Sequence, residues 1–325
     1  MGEFDLLARL RELLPEGGGR IRVGIGDDAA VTEPEGATAT SVDAVIEGVH
    51  FRRRHASLAQ IGHKALAAAL SDLAAMGAEP GEAYLVLFVP PDLSEQDCLE
   101  LLEGAAALAD ASRVRLAGGD ITRAPQLAVT VTVVGHAKSS DDFVRRDGAR
   151  PGEVLVLTGE LGGAAAGFIA LEQPERAGGL AAADLEALRR RQLEPQAQLE
   201  AGRALAAAGA TAMIDLSDGL GGDARHLAAQ SGVGLRIDAA ALPLAAGVVE
   251  VAGGERRGLE LAAGGGEDYE LLATLPPECF DAAAAAVGAA GSKLTRIGDV
   301  VPEKEVAIRL PEGGQLTAKG FDQLD

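Results

Sequence analysis

The sequence predicts an α/β (α+β) protein of two domains, residues 1–145 and 146–325, with mixed sheets covered by helices. Three observations carry that expectation. Short apolar runs of strand length alternate with longer stretches whose apolar residues recur at helical spacing. The mixture occurs in both halves of a 325-residue chain, a length that suits one large or two moderate domains. Between the halves, residues 145–152 form a polar link containing Gly and Pro. No internal repeat is present, which excludes a solenoid.

In the first half, Phe4, Leu7, Leu10 and Leu14 recur at helical spacing and predict an opening amphipathic helix. Residues 21–25 form an apolar run ending in Gly26-Asp27-Asp28, and 38–45 read as a second strand after a turn at 33–36. Residues 58–76 are Ala-rich with apolar residues at helical spacing, a buried helix that Gly77 and Pro80 end. Residues 83–89 make a strand closed by Pro90-Pro91, and Ser94 with Asp97 forms a short capping box for the next helix. Leu116-Ala117 is expected to deliver Gly118-Gly119-Asp120 to a turn, and 126–137 alternate as a long strand.

The second half opens with a strand at 153–158 and a Gly-rich helix from Leu161. Residues 180–208 form a helical, charged stretch ending near Gly209. Strand 212–216 enters Ser217-Asp218-Gly219-Leu220-Gly221-Gly222, followed by a helix to about Gln230. Strands are expected at 234–237, 271–275, 296–300 and 306–310, with an Ala-rich helix at 280–290.

Lys plus Arg number 29 against 49 Asp plus Glu, a net charge of −20, which argues against nucleic acid or an anionic membrane as partner. No apolar stretch has the length of a membrane span, and the N-terminus lacks a signal-peptide layout. Two isolated cysteines, Cys98 and Cys279, fit neither a disulfide framework nor a zinc site. A soluble, cytoplasmic protein is expected.

The chemistry lies in acidic residues at strand ends and turns: Asp27, Asp28, Asp43, Asp72, Asp120, Asp215 and Asp218. Two adjacent carboxylates repel by about 1 kcal/mol in water and about 4 kcal/mol near a protein surface, and hard divalent cations relieve such sets through oxygen ligands. Ser41 and Asp43, two residues apart, share one strand face. Asp72 sits in an otherwise apolar helix near its C-terminal end, where both burial and the helix dipole disfavour a carboxylate. The Gly-rich turns before Asp120 and after Asp218 are suited to phosphate, yet no P-loop or dinucleotide fingerprint is present. Three glycines at 264–266 allow close backbone approach, and Glu267 is placed to hydrogen-bond a ring nitrogen.

GIGDDAAV at 24–31, SVDAVIEGVHF at 41–51, LSDLAAMGAEP at 70–80, GGDITR at 118–123, IDLSDGL at 214–220 and GGEDYELL at 265–272 together resemble the thiamine-monophosphate kinase family. That family is grouped with aminoimidazole ribonucleotide synthetase and selenophosphate synthetase. The resemblance runs nearly end to end and implies the two-domain fold of that superfamily, with a homodimer formed through the N-terminal domains and a C-terminal domain that closes the active site. It also implies ATP-dependent phosphorylation of thiamine monophosphate to thiamine diphosphate with several Mg²⁺ ions.

Carried over by motif, Asp28, Ser41, Val42, Asp43, Asp72, Asp120, Asp215 and Asp218 are implied metal ligands. Val42 stands where the family commonly has Thr, so its contact would come from the backbone. Gly119, Asp120, Arg146 and Ser217 match ATP-phosphate contacts, and His50, Glu267 and Phe321 match positions that hold the thiamine moiety. No covalent or general-base residue is implied. The alternatives are another ATP-dependent enzyme of the superfamily, aminoimidazole ribonucleotide synthetase-like, or a non-catalytic protein that binds divalent cations.

Overall fold

Period-two alternation sets the first large sheet of this computed structural model, which describes residues 19–25, 29–318 and 320–321. The expected opening helix and Gly26-Asp27-Asp28 lie outside the described residues. Strands β1 (Ile21–Val23) and β2 (Val31–Thr32) pair antiparallel. They precede β3 (Ala37–Ile46), helix α1 (Leu58–Ala75), β4 (Glu79–Val89), α2 (Glu95–Ala111), β5 (Arg115–Arg123) and β6 (Ala128–Ala137). A four-stranded sheet has the order β3-β6-β4-β5, parallel only between β4 and β5.

Ala83, Leu85, Leu87, Val129, Val131 and Val133 bury one face of this sheet. Register sets Ser41 beside Val133 and Asp43 beside Val131, so both point to that face. The intervening residues Val42, Ala44, Tyr84, Val86, Thr130 and Thr132 line the opposite face, where Val42 is 62% exposed.

Local chemistry places the element ends. Gly77, at φ +64°, closes α1: its N–H donates to the Ala74 carbonyl at 3.0 Å and that of Ala78 to the Leu73 carbonyl at 3.0 Å. At α2 the expected capping box is present, with the Asp97 N–H donating to Ser94 Oγ at 3.3 Å and the Ser94 N–H to Asp97 Oδ2 at 2.7 Å. Two strands outrun their sequence signals. β4 begins at Glu79, because Pro80 falls at a register shift where its missing N–H is harmless. β5 continues through Gly118-Gly119-Asp120 to Arg123, so these residues lie inside a strand and not at a turn. Gly119 permits this, since a Cβ there would stand 1.9 Å from the Leu85 carbonyl oxygen of the neighbouring strand.

The remaining elements are β7 (Val154–Thr158), α3 (Gly163–Glu172), α4 (Ala182–Leu193), α5 (Leu199–Ala207), β8 (Ala212–Asp215), α6 (Leu220–Ser231) and β9 (Gly234–Asp238). They are followed by α7 (Val248–Ala252), α8 (Glu255–Gly264), β10 (Leu271–Leu275), α9 (Phe280–Ala289), β11 (Leu294–Val301), β12 (Val306–Arg309) and β13 (Gln315–Leu316). The stretch 180–208 is two helices and not one continuous run, because Pro195 breaks the pattern between α4 and α5. Seven strands form a second sheet ordered β13-β12-β9-β11-β7-β10-β8, parallel only between β9 and β12.

β7, β8 and β10 are buried along their whole length, which requires cover on both faces. Leu220, Ala224 and Leu227 of α6 and Ala262 and Ala263 of α8 share one apolar cluster with Leu155, Leu157, Ile214 and Leu272 of these strands. The expected mixture of sheets and helices is thus present throughout the described chain.

The chain divides into two compact units, residues 1–73 with 78–140, and residues 74–77 with 141–325. Residues 74–77 count with the second because the Val144 N–H donates to the Met76 carbonyl at 3.1 Å and Gly202 lies against the Ala74 carbonyl.

Ser94→Ala removes the cap of α2, and a loss of about 1 kcal/mol is expected from the urea unfolding midpoint. An unchanged midpoint would show that the cap contributes nothing to the fold.

Candidate active site

In the second unit the signature turns converge through the backbone. β8 delivers Asp215, which is buried, and the chain then turns through Leu216, Ser217, Asp218 and Gly219 into α6. The Leu216 N–H donates to the Glu270 carbonyl at 2.8 Å, and the Tyr269 N–H returns to the Leu216 carbonyl at 3.0 Å. One residue on, the Glu267 N–H donates to the Ser217 carbonyl at 2.8 Å, and the Phe321 N–H to the Asp218 carbonyl at 2.9 Å. Gly219 adopts φ +108°, and a Cβ there would come within 2.9 Å of the Gly265 carbonyl oxygen. Only glycine meets both conditions.

Two amides of this turn are already engaged. Asp218 and Gly219 donate their N–H groups to Asp223 Oδ2 at 3.1 and 3.0 Å. The expectation that the turn offers its amides to phosphate is therefore corrected for these two. Asp223 is buried, and that burial, followed by the negative charges of Asp215 and Asp218, pushes its pKa up to about 8.

The loop from Gly264 to Glu270 holds two non-glycine residues in left-handed backbone, Glu267 at φ +68° and Tyr269 at φ +50°. Such conformations cost on the order of 1–3 kcal/mol each and persist only where the surroundings over-determine them. Here the surroundings do. Gln192 Nε2 donates to Glu267 Oε2 at 2.8 Å. Asp268 caps α3 from a distance, accepting the N–H groups of Gly162 at 2.7 Å and Ala164 at 3.0 Å. Glu270 accepts the Thr158 hydroxyl at 2.7 Å, while the same hydroxyl accepts the Leu271 N–H at 2.8 Å. Burial raises the Asp268 pKa to about 6 and that of Glu270 to about 7; backbone bonds at the first and the Thr158 bond at the second oppose it. Phe321 is 54% exposed, a ring face open to a partner.

In the first unit, Ser41 Oγ donates to Asp72 Oδ2 across from the last turn of α1, and Asp43 stands on the same sheet face. Asp43 Oδ1 accepts the N–H of Ala44 at 2.8 Å. His50 lies in the turn after β3, where its Nδ1 accepts the Ile46 N–H at 3.1 Å. That bond defines a neutral ring carrying its proton on Nε2. Asp120 is not brought to Ser41 and Asp43. It lies on β5, the other edge of the sheet, and its register with Val86 puts it on the opposite face. The Val42 side chain also points to that opposite face, so any contribution to a site with Ser41 and Asp43 comes from its backbone. Asp28 lies outside the described residues.

Arg146 in the second unit is exposed, and its carbonyl accepts the Ser231 hydroxyl at 2.7 Å. Ser231 ends α6, so Arg146 is anchored at the opposite end of that helix from Ser217, roughly 18 Å of helix away. Every metal donor expected from the sequence is oxygen, the type hard divalent cations take, and buried Asp215 with Asp218 supplies the negative charge that raises the Asp223 pKa and that a cation would neutralise. Among the described residues, no group of three or more His, Cys, Asp or Glu is arranged to hold a metal ion. Asp223, Asp268 and Glu270 received no role from the sequence. The one available signal for Asp223 was its place four residues after the helix-starting Gly219.

Residues 26–137 match the family model "AIR synthase related protein, N-terminal domain", and 150–311 match its C-terminal counterpart. Fold and signature turns together therefore make this a two-domain protein of the AIR synthase-related group. The thiamine-monophosphate kinase of Salmonella typhimurium is 36% identical over 327 residues, spanning 99% of this chain and 98% of its own. A solved thiamine-monophosphate kinase from Stenotrophomonas maltophilia superposes with a TM-score of 0.85 at 36% identity, over 95% of this chain and 96% of that one. A further structure, AaThiL complexed with AMPPCP and TMP, gives 0.76 at 28% identity over 99% and 97%. The chain belongs to the thiamine-monophosphate kinase family.

Glu270 yields a pH prediction. Its folded pKa of about 7 lies above the ordinary 4.5, so the folded chain keeps a proton that the unfolded chain releases. The stability this adds is full below pH 4.5 and is lost as pH rises through 7. Asp268 acts in the same direction up to about pH 6. Between pH 5 and 8 the wild type is expected to lose on the order of 2–3 kcal/mol more than Glu270→Gln in urea unfolding. Parallel pH profiles for the two proteins would contradict this.

Proposed function

We infer that the protein is an ATP-dependent kinase that phosphorylates thiamine monophosphate to thiamine diphosphate. The observation that carries this reading is the lacing of the Asp215–Gly219 turn to Glu267 and Phe321, which joins the residues suited to phosphate and those suited to the acceptor in one backbone network. Relatives named thiamine-monophosphate kinase and a relative complexed with AMPPCP and TMP support it.

In this reading Gly119, Asp120, Arg146 and Ser217 contact ATP phosphates, and Asp28, Ser41, Val42, Asp43, Asp72, Asp120, Asp215 and Asp218 hold several Mg²⁺ ions. Mg²⁺, when bound, supplies neutralisation of two polyanions and of the charge on the transferred phosphoryl group. Ser41 donates its hydroxyl hydrogen bond to Asp72, which leaves the hydroxyl lone pairs available to a cation. Neutral His50 presents an Nε2–H donor to the acceptor. Gln192 fixes the Glu267 carboxylate for a ring nitrogen of the substrate, and the exposed ring of Phe321 offers a stacking surface.

The attacking oxygen belongs to a phosphate already ionised at neutral pH, so no general base is needed and transfer is direct and in line, without a phosphoenzyme. The sheet face bearing exposed Val42 with half-buried Val86 and Tyr84 supports a homodimer through the N-terminal unit. Among the described residues no helix is long and apolar enough to cross a membrane; a cytoplasmic location belongs to the same proposal.

A coupled assay tests the reading: ADP is expected to appear from ATP only when thiamine monophosphate is added. Turnover with aminoimidazole ribonucleotide precursors instead would move the protein elsewhere in the superfamily. Asp43→Asn and Asp72→Asn are each expected to lower kcat at limiting Mg²⁺ by about 100-fold or more with the fold intact. His50→Ala is expected chiefly to raise the acceptor KM, and unchanged kcat in the Asp variants would remove their metal role.

A further inference from the structure

We propose that Asp223 is a positioning residue that couples the carboxylate-bearing turn to both the Glu267 loop and the Phe321 segment. The argument rests on peptide planarity. In a trans peptide unit the N–H and the C=O point in opposite directions. The unit joining Ser217 to Asp218 gives its N–H to Asp223 Oδ2, so its carbonyl is aimed the other way, where it receives the Glu267 N–H at 2.8 Å. The next unit repeats the device: the Gly219 N–H goes to the same oxygen, and the Asp218 carbonyl receives the Phe321 N–H at 2.9 Å. One buried carboxylate oxygen thus sets the direction of two consecutive peptide planes, and each plane holds a different segment on its far side.

The packing around these planes leaves little room for another arrangement. Asp223 lies in the first turn of α6, with its own N–H committed to the Gly219 carbonyl at 3.0 Å. A Cβ on Gly266 would stand 2.4 Å from the Ser217 carbonyl oxygen, and one on Gly221 would stand 2.4 Å from that of Ala318. Arg225 Nη1 donates to the same Ala318 carbonyl at 2.7 Å, which ties the approach to Phe321 to α6 as well. Rotating either peptide to aim its N–H elsewhere would turn a carbonyl away from its segment and leave a buried group unpaired.

The coupling is independent of any ligand; its consequence for the substrate rests on the kinase reading above. Hydrogen exchange on the full-length protein tests the first part without a variant. The amides of Asp218, Gly219, Glu267 and Phe321 are expected to open with one common free energy, and separate openings would overturn the proposal. In Asp223→Ala, peptides covering 264–270 and 317–321 are expected to exchange about tenfold faster while β11 is unchanged, the scale of one or two lost buried hydrogen bonds. Asp223→Asn retains an acceptor oxygen at the same place and is expected to restore protection; a loss equal to that of Ala would overturn the single-oxygen role. The thiamine monophosphate KM of the Ala variant is expected to rise about tenfold with a smaller change in kcat. Faster exchange beside an unchanged KM upholds the coupling and overturns instead the assignment of Glu267 and Phe321 to the acceptor.

Discussion

Two consecutive peptide planes between Ser217 and Gly219 are the constraint on which the second unit's site depends. Their N–H groups face inward to one oxygen of Asp223, and their carbonyls face outward to Glu267 and Phe321. Because a peptide plane has no internal freedom, fixing one edge fixes the other. The turn therefore carries Asp215 and Asp218 and at the same time defines where two distant segments, about 50 and 100 residues further along the chain, must lie.

The same region concentrates the costs of the fold. Glu267 and Tyr269 occupy left-handed backbone, and Asp223, Asp268 and Glu270 are buried carboxyl groups with raised pKa values. Each cost has an identifiable partner: the Gly162 and Ala164 amides for Asp268, the Thr158 hydroxyl for Glu270, and the Asp218 and Gly219 amides for Asp223. In the first unit the pattern is simpler. A helix end brings Asp72 to Ser41, and strand alternation adds Asp43 on the same face. Local strain and buried acids are expected where geometry is held for chemistry rather than for stability.

Much of the fold was legible because its signals are local. The capping box of Ser94 and Asp97, the stop at Gly77 and the alternation of β6 each depend on residues a few positions apart. The misreadings came where a neighbour in space overrode the local cue. Gly118-Gly119-Asp120 reads as a turn in one dimension, yet the close approach of the Leu85 carbonyl makes those glycines the means by which β5 stays paired. The break at Pro195 is a different case, a local cue that charge and composition outweighed over 180–208.

The sequence by itself determined the mixed α/β character, the acidic signature motifs and their order along the chain, because these are properties of composition, spacing and backbone propensity. Only the tertiary structure decided which of those motifs touch. It joined the 215–219 turn to Glu267 and Phe321, kept Ser41 and Asp43 on a different sheet face from Asp120, and anchored Arg146 at the far end of α6. It also brought in Asp223, whose role depends on the direction of two peptide bonds. The physical reason is that strand register and peptide orientation are set by pairing across the sheet and by packing, and neither is recorded in the spacing of residues along the chain.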